Sequence, residues 1–189
     1  MPEFSLKAEP FLGGFSRDID GTVLTEVTDQ SLVSIAQPLD GREALQKAVK
    51  SAWGCASPAP GKSAAGKDGP LRLICLGPDA FMVLMPANGP LAVPDVTQAL
   101  GTAGYYTEQS DNWVILRLSG PLAIAALERI CPIDLHPNVL PAGSFARTSM
   151  EHLGAIVMRE SDDQFLLLSP SSSARSFLHA LETSIEYVS

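Results

Sequence analysis

Thr28, Gln30, Ser31, Gly41 and Ala44 recur as Thr107, Gln109, Ser110, Gly120 and Ala123, each pair 79 residues apart. A supersecondary unit that is copied within one chain must bury its apolar face against the other copy, because neither alone encloses a full core. Each copy reads as a short apolar strand, a turn, a helix, a turn-rich stretch, a hairpin and a closing helix. The spacing therefore predicts an α+β fold of two pseudo-repeated strand-helix-hairpin-helix halves. It places a single duplicated domain over residues 21–189, with the first repeat at about 21–103, the second at about 104–189, and an N-terminal arm over residues 1–20.

The arm carries Phe4, Phe11 and Phe15 among Pro10, Gly13 and Gly14, a spacing that fits neither helix nor strand. Aromatic side chains on such an arm are awkward in water, so they are expected to dock on this domain or on a partner. Leu32, Val33 and Ile35 mark a half-buried or fully buried strand over residues 31–37. Ala44, Leu45, Ala48, Val49 and Ala52 follow the spacing of an amphipathic helix over 41–53, with Asp40 and Glu43 as a capping box and Gly54 as the stop. Residues 55–70, CASPAPGKSAAGKDGP, have no large apolar side chain and read as a flexible surface loop outside the core. A hairpin turns at Gly77-Pro78-Asp79, and a closing helix includes residues 96–100.

The second copy repeats the pattern. WVILRL over 113–118 is a strand, Ser119 is the expected N-cap, Pro121 sits where a helix tolerates proline, and residues 122–130 supply the helix. A hairpin joins 155–159 to 165–169 across 160–164, and a helix over 174–187 closes the chain. Pro86 aligns with Pro170, and Ala99-Leu100 with Ala180-Leu181, so small insertions shift the offset.

Charge and composition narrow the function classes. The net charge of −8 repels phosphate backbones and disfavours nucleic-acid or anionic-membrane binding. With 46% hydrophobic and 18% charged residues, the chain carries apolar surface that something must cover. No apolar run reaches the roughly 20 residues of a membrane span. The first residues lack signal-peptide order, so the reading places the chain in the cytoplasm.

The sequence carries little recognisable chemistry. No GxGxxG or GxxxxGK[ST] follows a strand. Cys55, Cys75 and Cys131 form no CxxC pair, and His136, His152 and His179 stand apart, so neither a zinc site nor a thiol–imidazole pair is built into local sequence. CPIDLH brings Cys131, Asp134 and His136 within six residues, but an extended, proline-bounded segment points such neighbours in different directions. Arg117 interrupts the apolar strand WVILRL, where an unpaired buried charge would be costly. It is read either as an ion pair with a partner protein or as the mark of a wet strand face.

LGPDAFMVL, LSGP, CPIDLHP, the HLG before the second hairpin and SPSSSARSF before the last helix together resemble the gamma subunit of heterotetrameric sarcosine oxidase. The strand-SGP-helix element is also similar to one in folate-dependent aminomethyltransferases, which implies an aminomethyltransferase-like, ferredoxin-like packing. The resemblance implies a complex that oxidises sarcosine to glycine, passes the one-carbon unit to tetrahydrofolate or releases formaldehyde, and forms hydrogen peroxide. It further implies that alpha holds NAD and a folate-binding domain, beta holds FAD, FMN lies between alpha and beta, and delta binds zinc. This chain would hold no cofactor, no metal and no catalytic residue, and would contact alpha or beta through Phe4, Phe11, Phe15, Arg117 and His136. Two rival readings are a folate-binding one-carbon module and the same packing role in a complex acting on another N-methyl amino acid.

Overall fold

The computed structural model describes residues 9–67 and 69–189. Two antiparallel sheets stack face to face, and a pair of helices covers the outer face of each. The strands are β1 (Ser16–Ile19), β2 (Thr22–Glu26), β3 (Gln30–Ala36), β4 (Ser63–Ala65), β5 (Arg72–Cys75), β6 (Ala80–Pro86), β7 (Tyr105–Glu108), β8 (Trp113–Ser119), β9 (Phe145–Met150), β10 (Leu153–Arg159) and β11 (Gln164–Pro170). The helices are α1 (Arg42–Trp53), α2 (Val93–Leu100), α3 (Ala123–Ile130) and α4 (Ala174–Glu186). One sheet runs β1-β2-β8-β11-β10-β9 and the other β4-β5-β6-β3-β7.

The strands have to be apolar on both faces, because each sheet is covered on both sides. In β3, Val33 and Ile35 pack under α1 and α2, while Leu32 faces the other sheet. In β8, Val114, Leu116 and Leu118 pack under α3 and α4, while Ile115 faces inward. The inter-sheet layer is built from Leu32, Ile74, Met82 and Leu84 on one side and Ile115, Ile156, Met158, Leu166 and Leu168 on the other. Phe145 and Val27 extend the same layer.

The repeat is real, but its structural register differs from the 79-residue offset. Gln30 opens β3 and Trp113 opens β8, so Gln109 and Ser110 fall in the turn before β8 whereas Gln30 and Ser31 begin β3. Segment β3-α1-β5-β6-α2-β7 is a βαββαβ unit of ferredoxin-like order β5-β6-β3-β7. The later sheet has the same order, β10-β11-β8-β2, with its fourth strand supplied by β2 from near the start of the chain. Thus β2 passes its neighbour β3 and pairs with β8, and β7 passes β8 and pairs with β3. Val27 N donates to Ile115 O at 2.9 Å and Gln109 N to Leu32 O at 2.8 Å, holding both crossings alike.

Several local expectations are corrected. Residues 16–19 of the arm form β1, because Asp20-Gly21 closes a two-residue hairpin with φ 49° and 78°. Asp40 does not cap α1; it adopts φ 59° in the turn, and Gly41 occupies the N-cap with no side-chain bond. Ala44 is exposed, and the buried stripe of α1 is Leu45, Val49 and Trp53. Ser119 ends β8 instead of capping α3, where Leu122 is the N-cap and donates its amide to Thr22 Oγ1 at 3.0 Å. Within residues 55–70, Cys55 is buried and β4 pairs with β5. Lys62 of that segment bridges to Ser144 beside β9, and its Nζ lies 2.9 Å from Ser144 Oγ. The segment joins the margins of the two sheets.

Gly120 sits where β8 turns into α3, at φ 123°, and an added Cβ would lie 2.4 Å from Gly21 O and 2.8 Å from the Thr22 Cα. Both obstacles are backbone. Gly120→Ala is expected to cost about 2 kcal/mol or more, read as a lower denaturant midpoint. Gly154→Ala, whose Cβ would meet nothing within 4 Å, should change the midpoint little by comparison.

Candidate functional site

Among the proposed contact residues, Phe4 lies outside the described residues. Phe15 is half-buried and packs on the core beneath α3 and α4, together with Leu12 and Ile19. The arm is tied down by Glu26, whose carboxylate accepts the amides of Leu12 at 3.0 Å and Gly14 at 2.8 Å. Phe11 remains 40% exposed and lines a cavity of about 190 Å³ with Glu26, Gln30 and Trp113.

Arg117 shares its strand face with Ile115. That face is buried at Ile115 and reaches solvent at Arg117, whose Nε pairs with Glu160 Oε2 at 2.9 Å. Gln164 Nε2 donates to the same oxygen at 2.8 Å. The guanidinium therefore already has an intrachain counter-ion. His136 is exposed, its amide donates to Asp134 Oδ1 at 2.8 Å, and its Nδ1 accepts the Asn138 amide at 3.2 Å. Among the described residues, no hydrogen bond or ion pair joins Arg117 or His136 to the aromatic arm.

Cys131 is buried while Asp134 and His136 face solvent, so CPIDLH does not assemble a thiol–imidazole pair. Burial pushes the Cys131 thiol above its ordinary pKa, and the same cause raises Cys55 and Cys75. Among the described residues, no group of three or more His, Cys, Asp or Glu could hold a metal ion. No helix among them is long and apolar enough to cross a membrane.

Sequence reasoning missed three features. Arg159 is 1% exposed, and its guanidinium donates to the carbonyls of Leu135 at 2.7 Å, Ser161 at 2.9 Å and Asp162, while lying 5.3 Å from the Phe165 ring centroid. It locks the CPIDLH loop to the β10–β11 turn. A groove of about 350 Å³ between α3 and α4 is lined by Arg129, Ile130, His179, Ala180, Thr183 and Tyr187, with Arg129 stacked 5.0 Å over the Tyr187 ring. Leu39 stands 94% exposed on the β3–α1 turn. Its counterpart Leu122 follows Pro121 as Leu39 follows Pro38, and is half-buried against the core.

With this geometry in view, the relatives are informative. No protein-family model matches the chain. It is 30% identical over 110 residues to sarcosine oxidase subunit gamma of Corynebacterium sp. strain P-1, covering 58% of this chain and 54% of that protein. It is 29% identical over 135 residues to the gamma subunit of Corynebacterium sp. strain U-96, covering 71% and 65%. The matched region spans only about half to two thirds of the length of these curated relatives. In structure, it superposes on a chain of heterotetrameric sarcosine oxidase from Corynebacterium sp. U-96 with TM-score 0.75 and 27% identity, over 88% of this chain and 84% of that one. The chain is similar to sarcosine oxidase gamma subunits in sequence and to a chain of the heterotetrameric enzyme in fold. Aminomethyltransferase T of the glycine cleavage system from Bartonella henselae shares the fold, with TM-score 0.60 and 19% identity, over 85% of this chain and 45% of that enzyme. The α+β duplication read from the repeat and the aminomethyltransferase-like architecture implied by the resemblance are thus the observed ones.

Two measurements follow. Iodoacetamide at neutral pH should modify Cys131 slowly in the folded protein and readily after denaturation, since its raised pKa leaves little thiolate. Fast labelling of native Cys131 would contradict its described environment. Separately, Glu108 of β7 caps α2 from a distance, accepting the amides of Ala92 at 2.7 Å and Val93 at 3.1 Å and the Ser110 hydroxyl at 2.6 Å. Burial pushes its pKa up, but these bonds outweigh burial and hold the carboxyl below its ordinary value. Its contribution to stability is therefore present above the unfolded-state pKa and is lost as pH falls through the folded one. Glu108→Gln should cost about 1–2 kcal/mol near neutrality and flatten the acid limb of the stability profile, measured by denaturation from neutral to acid pH.

Proposed function

We propose that this chain is a non-catalytic, gamma-type packing subunit of a heterotetrameric sarcosine oxidase complex. The observation that carries the reading is the superposition on a chain of that heterotetramer along most of both chains. The site chemistry is compatible with it: the cysteine thiols are buried with raised pKa values, and the charged groups Arg117, Glu160 and Arg159 are spent on holding loops together.

In this reading the complex converts sarcosine to glycine by oxidative demethylation, with the one-carbon unit passed to tetrahydrofolate or released as formaldehyde, and hydrogen peroxide formed. The alpha, beta and delta subunits hold FAD, FMN, NAD, folate and zinc, and this chain contacts alpha or beta. Phe11 and His136 are exposed enough to serve that contact. Arg117 would do so while already paired with Glu160.

The test is co-expression of the complex with and without this chain. Omission should abolish or weaken assembly while flavin-bearing partners keep their cofactors, and the isolated chain should be colourless. An isolated chain that binds flavin stoichiometrically or oxidises sarcosine would overturn the reading.

A further inference from the structure

The internal duplication exposes one asymmetry. In the six-stranded sheet, the outer edge of β2 is covered by β1; in the five-stranded sheet, the equivalent strand β7 is the last, and no described strand pairs with its outer edge. The correspondence extends to single atoms. Glu26 ends β2 and donates its amide to Phe15 O at 2.7 Å, on the β1 side. Glu108 ends β7. Because Gln109 N bonds to Leu32 O, the alternation of the antiparallel ladder turns the amides and carbonyls of Tyr106 and Glu108 away from β3 and out of the sheet. Tyr105 beside them is 69% exposed, and Thr107 is also exposed.

Open edges with unpaired N–H and C=O groups are templates for another strand, and proteins ordinarily cover, twist or charge them. Here the edge residues Tyr105, Tyr106 and Thr107 carry no charge. The flanking sequence has one sign: from Leu73 to Leu116 it carries Asp79, Asp95, Glu108 and Asp111 and no lysine, arginine or histidine. Asp95 lies in the first turn of α2, which Glu108 caps, and Asp111 follows β7 closely, so both flank its Glu108 end. The chain also contains its own example of how such an edge is closed. Arg17 of β1 reaches from the added strand to Glu182 and Glu186 of α4, both at 2.8 Å.

We propose that β7 is a strand-addition site, occupied by an extended, cationic segment of a partner polypeptide lying where β1 lies on β2. Main-chain bonds to Tyr106 and Glu108 would hold the segment, and its Lys or Arg side chains would meet Asp95 and Asp111. That the partner is another chain of the complex rests on the function proposed above.

The experiment is residue-resolved hydrogen exchange on the isolated chain and on the complex assembled with its native partners. The amides of Tyr106 and Glu108 should exchange fast in the isolated chain and be protected by at least about tenfold on assembly, as expected for amides entering a ladder. Asp95→Lys and Asp111→Lys, each checked for unchanged melting temperature, should slow association at low salt by about tenfold. If the complex forms and these amides stay as fast as before, the strand-addition site is wrong while the subunit reading survives. If the amides are already protected in the isolated chain and the protection rises with concentration, the occupant is a second copy and the proposal fails. If the chain never joins the complex, the proposed function fails first, and the cationic partner falls with it.

Discussion

The pairing of β2 with β8 and of β7 with β3 is the constraint on which the remaining structure rests. Strand β7 closes the sheet of its own contiguous βαββαβ unit, whereas β2 skips that unit and forms its ladder with β8 in the other sheet. The six-stranded sheet therefore gains its fourth ferredoxin-like strand only when the halves meet. The contact that brings them together is the inter-sheet layer, where Leu32, Ile74 and Leu84 oppose Ile115, Ile156 and Leu166 with almost no exposure. Burial of a large aliphatic side chain is worth roughly 1.5–3 kcal/mol, so this dry layer, and not hydrogen bonding at the crossings, supplies most of the drive.

Two-sided burial also explains the composition. Strands covered by a helix pair on one side and a second sheet on the other cannot alternate apolar with polar residues, so FMVL, WVIL and FLLL are continuous runs. The surplus of apolar residues noted in the sequence is spent largely inside the fold. What remains outside among the described residues is specific: Leu39, Leu91, Tyr105, Val139 and Tyr187 each stand more than half exposed.

Much of this was legible without coordinates. The duplication, α1, the β10–β11 hairpin and α4 all followed from periodicity and turn residues. The losses have physical causes. Strand β9 escaped notice because the β9–β10 turn is Glu151-His152, with φ 44° and 68°, where a glycine or asparagine would have signalled a hairpin. Asp20-Gly21 was a readable hairpin signal hidden beside an irregular aromatic stretch. Asp40 looked like a cap because its side chain suits one, but the backbone uses it as a left-handed turn residue. At the candidate site, Arg159 closed an apolar run as if at a wet strand end, and only three converging carbonyls make its burial tolerable. The strand crossings were invisible for a simpler reason: pairing between distant segments leaves no local periodicity.

The crossing of β2 to β8 has a consequence for synthesis. Strand β2 leaves the ribosome well before the strand it must lie against, which is made only after α1, β3 through β7 and α2 have emerged. The early βαββαβ unit can condense as it is made, whereas the β1–β2 hairpin must wait, half-matched, until β8 exists. Such a delayed closure raises contact order and slows folding, and it makes the nascent amino-terminal hairpin the segment with most to gain from a chaperone.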